Sequence, residues 1–184
     1  MIGECTLGYL THKVFPCVTY TTGLSGNAVQ VAVTGYGAWS SPGTSTETPV
    51  PGHIWIGTDD GAGNVKTEGH AFASRPKRLS YWKKNTPLNG EASRIQLEIL
   101  AADGTVIAKA ISEDVTIDTA GTEVTLDLQY TDLTKKAASI KMSILASTVT
   151  GKPKYKKSTI TMAGKTYDVN LGSSLIVDHI RLHY

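Results

Sequence analysis

Strict two-residue alternation of apolar and polar side chains is the feature that most constrains what this chain can fold into. Ile95, Leu97 and Ile99 take one parity and Arg94, Gln96 and Glu98 the other, up to the pair Asp103-Gly104. Successive side chains of a strand point to opposite faces, so this segment reads as a strand with one buried face that ends in a hairpin turn. Val124, Leu126, Leu128 and Tyr130 repeat the pattern against Thr125, Asp127 and Gln129, and Ile140, Met142 and Ile144 repeat it against Lys141 and Ser143. Leu79 and Tyr81 alternate with Ser80, Trp82 and Lys84 before the turn residues Asn85-Thr86-Pro87-Leu88-Asn89-Gly90. Half-buried strands in this number are what an antiparallel β-sandwich requires, because each sheet packs one face inward. A doubly wound α/β fold is excluded. The predicted inter-sheet core is Leu79, Tyr81, Ile95, Leu97, Ile99, Leu126, Leu128, Ile140, Met142, Ile144, Leu175 and Val177.

At 184 residues the chain suits one all-β domain over 1–184, since sandwiches of about 200 residues fold as single units. Within it, residues 1–24 read as an irregular N-terminal segment. Val29, Val31 and Val33 then mark a strand, and the Gly, Ser, Thr and Pro residues of 35–52 read as a long surface loop. His53 to Gly57 is a further strand, and 130–139 has room for one helical turn. Charged residues are 18% of the chain and the net charge is +2, which argues against an acidic disordered tail and against a nucleic-acid surface. The run Lys152-Pro153-Lys154-Tyr155-Lys156-Lys157 is read as a solvated hairpin tip. Met1 to Leu10 has no signal-peptide pattern, and no apolar run reaches the roughly 18 residues of a membrane span. Cys5 and Cys17 either bridge or remain two small apolar residues.

Three blocks, in order, carry a resemblance. They are Arg75-Pro76-Lys77-Arg78-Leu79-Ser80-Tyr81-Trp82-Lys83-Lys84-Asn85-Thr86-Pro87, then Leu126-Asp127-Leu128-Gln129-Tyr130 ahead of Lys135-Lys136-Ala137-Ala138, and Gly172-Ser173-Ser174-Leu175-Ile176-Val177-Asp178-His179-Ile180. From Ser74 onward the chain resembles the carbohydrate metabolism domain family of Bacteroidetes surface and secreted proteins. The N-terminal residues Met1 to Leu10 depart from that family's opening strand. The resemblance implies a jelly-roll β-sandwich like those of carbohydrate-binding modules, a place outside the cytoplasm, and a glycan partner alongside other modules of a larger surface protein. It names no reaction.

Sugar rings offer apolar C–H faces and a rim of hydroxyls, so a site for them pairs an aromatic face with amides, carboxylates or cations. Trp82 and Lys84 share their outward parity with Arg94, Gln96 and Glu98 of the next strand in sequence. Antiparallel neighbours put such side chains within contact range, so these five are read as one binding platform; the alternative is that Trp82 covers the outer rim of the sandwich and the charges are a solvated face. Trp39 either clamps a ligand from the long loop or anchors that loop. Trp55 faces outward if Ile54 and Ile56 are core, and is core if they are not.

Asp178 interrupts the apolar run Leu175 to Ile180, and Leu182 resumes the core phase one residue late, which a β-bulge would explain. Its carboxylate either accepts backbone hydrogen bonds at the bulge or, as the resemblance implies, helps to hold a structural calcium ion with oxygens such as those of Asp59 and Asp60. No hydrolase elbow, zinc-protease or phosphate-loop motif occurs. The leading expectation is non-catalytic carbohydrate binding. A glycoside hydrolase would need two carboxylates about 5 to 10 Å apart, such as Glu68 with Glu98 or Asp127 with Glu98. A structural adhesion or assembly domain would need neither.

Overall fold

A computed structural model describes residues 3–7, 10–14, 17–20, 23–36, 38–40, 44–45, 48–60, 65–150, 154–162 and 165–184, with side chains over 23–33, 51–58, 60, 66–150, 154, 156 and 171–184. The described residues are strands and connections, with no helix. In chain order the strands are β1 (Gly3–Leu7), β2 (Leu10–Val14), β3 (Cys17–Tyr20), β4 (Ala28–Tyr36), β5 (Ala38–Ser40), β6 (Thr44–Ser45), β7 (Thr48–Val50), β8 (His53–Trp55), β9 (Gly57–Asp59) and β10 (Val65–Glu68). They continue with β11 (His70–Ala71), β12 (Arg78–Thr86), β13 (Ser93–Leu100), β14 (Val106–Asp114), β15 (Asp118–Asp127), β16 (Gln129–Tyr130), β17 (Ser139–Leu145), β18 (Tyr155–Met162) and β19 (Lys165–His183).

Two sheets make the sandwich. The front sheet runs β11-β17-β13-β14-β16, with β8 added beside β17; the back sheet runs β15-β12-β19-β4-β3, with β18 beside β19 and β7 beside β4. Inward residues of both sheets meet in one cluster: Ile95, Leu97, Ile99, Ile107, Ile140 and Ile144 from the front, Val31, Val33, Leu79, Tyr81, Leu175 and Val177 from the back. Leu128 joins this buried cluster, while Leu126 and Met142 pack against it part-buried. The alternation thus placed the core as expected, and the architecture is an all-β sandwich.

Four expectations change. Residues 3–20, read as irregular, hold the antiparallel pair β1–β2 and strand β3, and 35–52, read as a loop, holds β5, β6 and β7. These strands are two to five residues long, too short for parity to show in sequence. The segment 131–138 is a loop, not a helical turn; the Asp132 carboxylate accepts from the Thr134 and Lys135 backbone N–H at 2.8 and 3.1 Å, the local bonding that favours turns. The basic run leads into β18 rather than capping a hairpin, and the side chains of Cys5 and Cys17 lie outside the described residues.

Two corners fix the geometry around the site. Between β12 and β13 the chain crosses from the back sheet to the front one through Asn89 and Gly90, both at positive φ (53° and 78°). Buried Ser173 ties that corner down, accepting from the Leu88 N–H at 2.9 Å and donating to the buried Glu91 carboxylate at 3.0 Å. In β19, His179 at φ 50° and Ile180 lie between residues paired to Trp82 and Ser80, which is the expected bulge.

Candidate functional site

The outer face of the front sheet is organised by strand register. β13 pairs with β17 so that Arg94, Gln96 and Glu98 stand opposite Leu145, Ser143 and Lys141. β17 in turn sets Ser143 against Trp55 and Leu145 against His53 on β8. On the other side of β13, Arg94, Gln96 and Glu98 face Glu113, Ile111 and Lys109 of β14. All of these side chains share the parity opposite the core, because Ile54, Ile95, Leu97, Ile140 and Ile144 turn inward. Rows such as Trp55, Ser143, Gln96 and Ile111 therefore run across the strands, about 14 Å from end to end at ordinary strand spacing.

A groove of about 220 Å³ lies on this face, with Trp55, Arg94, Gln96, Glu98, Lys141 and Glu68 among its lining residues. Glu68 arrives from β10, whose pairing with β9 follows β8 directly. The Ile56 N–H donates to the Met142 carbonyl at 3.1 Å, and the Gly69 N–H donates to the Ile56 carbonyl at 2.7 Å, which seats this pair of strands against β17. Gly57, at φ 156°, leaves no space for a Cβ against the Thr67 carbonyl, so the close approach needs glycine.

The groove has an aromatic end and a polar end. His53 and Trp55 place their ring centroids 5.3 Å apart at 43°. Burial, against the pull of the Glu68 charge, holds the His53 ring below the ordinary histidine range, so it is neutral at pH 7. At the polar end Gln96 Nε2 donates to Glu98 Oε1 at 2.8 Å, and Lys109 Nζ stands 3.5 Å from the same oxygen. Lys141 pairs with Glu68 at 3.4 Å. Arg94 Nη1 stands 3.6 Å from Glu113, beyond hydrogen-bond reach.

The platform expected from sequence is thus split. Arg94, Gln96 and Glu98 come together as expected, but Trp82 and Lys84 lie on the back sheet, because β12 pairs with β15 and β19 and not with β13. The corner at Asn89-Gly90 moves the chain between layers, so strands consecutive in sequence are not neighbours. Trp82 is 6% exposed, packed with Ala28 and Ile176 under Gly121, and the Lys84 ammonium stands 5.4 Å from its ring centroid. The side chain of Trp39 lies outside the described residues. Trp55 supplies the aromatic surface of the groove instead, with His53, Glu68 and Lys141 as groove residues not chosen as binding residues from sequence. The signal was present: once Ile54 is core, parity turns His53 and Trp55 outward.

Asp178 sits apart from this groove, at the bulge. Its Oδ2 accepts from the Leu24 and Ser25 N–H at 2.9 and 3.4 Å, its Oδ1 accepts from the His179 N–H at 2.7 Å, and the His179 ring nitrogen lies 3.2 Å from Oδ2. Burial opposes the charge of this carboxylate, but those N–H groups outweigh it and hold its pKa below the ordinary range. Calcium needs a shell of oxygens. Asp178 faces N–H groups, the first of the two expected roles; no group of three His, Cys, Asp or Glu able to hold a metal occurs among the described residues, and the Asp59 side chain lies outside them.

Comparison with known proteins gives the fold context. No family model matches the sequence, and no curated protein is similar to it. Among solved structures, a "putative glycoside hydrolase" from Bacteroides thetaiotaomicron VPI-5482 superposes with TM-score 0.62 at 14% identity, over 92% of this chain and 57% of that one. A second "putative glycoside hydrolase", from Bacteroides vulgatus ATCC 8482, gives TM-score 0.60 at 17% identity, over 91% of this chain and 77% of that one. This chain therefore spans little more than half the length of the first. At such identities the likeness is one of fold. No helix among the described residues is long and apolar enough to cross a membrane.

Proposed function

We propose that this chain is a non-catalytic carbohydrate-binding module of a glycan-handling system outside the cytoplasm. The observation that carries the reading is the groove on the front sheet, where Trp55 shares a cross-strand row with Gln96, across Ser143 of β17, and Glu98 stands in the adjoining row. An indole supports the apolar face of a pyranose while amide and carboxylate hold its hydroxyls. The names of the two Bacteroides neighbours agree with a carbohydrate setting. Glycan-array screening followed by calorimetry tests it: the intact protein binds an oligosaccharide and the Gln96→Ala variant binds it more weakly. Failure of every glycan to bind above background would sink the reading.

A second reading, glycoside hydrolysis, rests on Glu68 and Glu98 lining one groove. Both are engaged by lysines, Glu68 by Lys141 at 3.4 Å and Glu98 by Lys109 at 3.5 Å. That arrangement suits holding hydroxyls more than passing a proton to a leaving group, which favours binding. Release of reducing ends that is lost in both Glu68→Gln and Glu98→Gln would instead establish hydrolysis.

A further inference from the structure

Among the charged side chains of the groove, Arg94 stands out by its hydrogen bonding. Glu98 accepts from Gln96 at 2.8 Å, and Lys141 donates to Glu68 at 3.4 Å. The guanidinium of Arg94 carries five N–H donors, and none of them has a hydrogen-bond acceptor among the described residues. Its Nε is buried without a partner, and its approach to Glu113, at 3.6 Å, is an offset ion pair on a half-exposed carboxylate. A buried donor left unpaired costs free energy, and a planar fork of donors is the group that best matches a carboxylate or a sulfate.

Arg94 also stands in the right row. It shares a row with His53 and Leu145 and is next to that of Trp55 and Gln96, so an anionic substituent on a ring lying against Trp55 would come beside the fork. Taking the groove as a saccharide site, we propose that it selects an acidic saccharide, a pyranose bearing a carboxylate or a sulfate ester, and that Arg94 is the residue that determines this preference. The anion displaces Glu113 as the partner of Arg94, while Trp55, Gln96 and Glu98 hold the ring and its hydroxyls.

The test compares matched glycans by calorimetry: oligogalacturonide against galactan oligosaccharide for the carboxylate, dextran sulfate against dextran for the sulfate. The acidic member of at least one pair binds about tenfold or more tightly than its neutral counterpart, and Arg94→Met removes that advantage. Arg94→Lys retains charge without the fork and keeps only part of the preference; Lys77→Met, an exposed cation elsewhere, keeps all of it. Which pair responds separates carboxylate from sulfate. Equal affinity within both pairs, or a preference that Arg94→Met leaves intact, overturns the proposal while leaving carbohydrate binding standing. Binding to none of the four overturns this preference; the wider glycan array alone then decides the saccharide reading.

Discussion

The two described tryptophans at Trp55 and Trp82 have opposite surroundings, and substitution separates them. Trp55 is part-exposed on the groove, so Trp55→Ala is expected to weaken glycan affinity by about tenfold through lost stacking and burial, with little change in melting temperature. Trp82 is enclosed by Ala28, Ile176 and Gly121, so Trp82→Ala is expected to cost about 3 to 5 kcal/mol of stability and to leave affinity unchanged at a temperature where the variant is folded. Denaturant unfolding and calorimetry on the same two proteins read both effects. Should Trp82→Ala lose affinity at full stability, the binding surface would have to be moved to the back sheet. Gly121 offers an independent check on that packing. It sits at φ 100° and a Cβ there would run into the Trp82 indole, so Gly121→Ala should lower stability in the same way.

At the level of the element, parity was legible and adjacency was not. Arg94, Gln96 and Glu98 were placed outward, and Ile95, Leu97 and Ile99 inward, by alternation alone, because a one-residue slip would turn the whole core face to solvent. Nothing in that alternation says which sheet a strand joins. The partners of β13 are β14, five residues on through a tight hairpin at Asp103-Gly104, and β17, which lies far along the chain; only the first had a turn signal. The bulge in β19 was legible because it breaks phase, with Val177 inward, Leu182 inward and Asp178 between them. The Asp178 carboxylate joins that bulge to the 23–26 turn, and its lowered pKa fixes the direction of a pH effect. A depressed carboxylate stabilises the fold above the ordinary carboxylate range, and the contribution is lost as pH falls through the folded pKa. Asp178→Asn should therefore melt lower than the parent at pH 7, with the difference narrowing steadily below about pH 4. A difference independent of pH would assign the loss to geometry instead of charge.

For the molecule as a whole, groove and core are two faces of the same strands. Ile54 packs inward beside outward Trp55, Leu97 inward between Gln96 and Glu98, and Ile144 inward between Ser143 and Leu145. A ligand across β8, β17 and β13 therefore braces the strands that carry the front half of the core, and its binding free energy adds to the stability of the packed sandwich. By linkage, a glycan at a hundred times its Kd should stabilise the fold by about 2.7 kcal/mol. Leu97→Ala supplies the internal comparison. Leu97 is 1% exposed, so the variant should lose about 2 to 5 kcal/mol, yet its outward neighbours Gln96 and Glu98 are untouched. Denaturant unfolding with and without saturating glycan should therefore give the same ligand increment in parent and variant, on two different baselines. A single transition that shifts as one is expected, because the buried cluster joins both sheets. If the melt instead divides into two transitions and only one responds to glycan, the sheets unfold separately and the coupling between groove and core is absent.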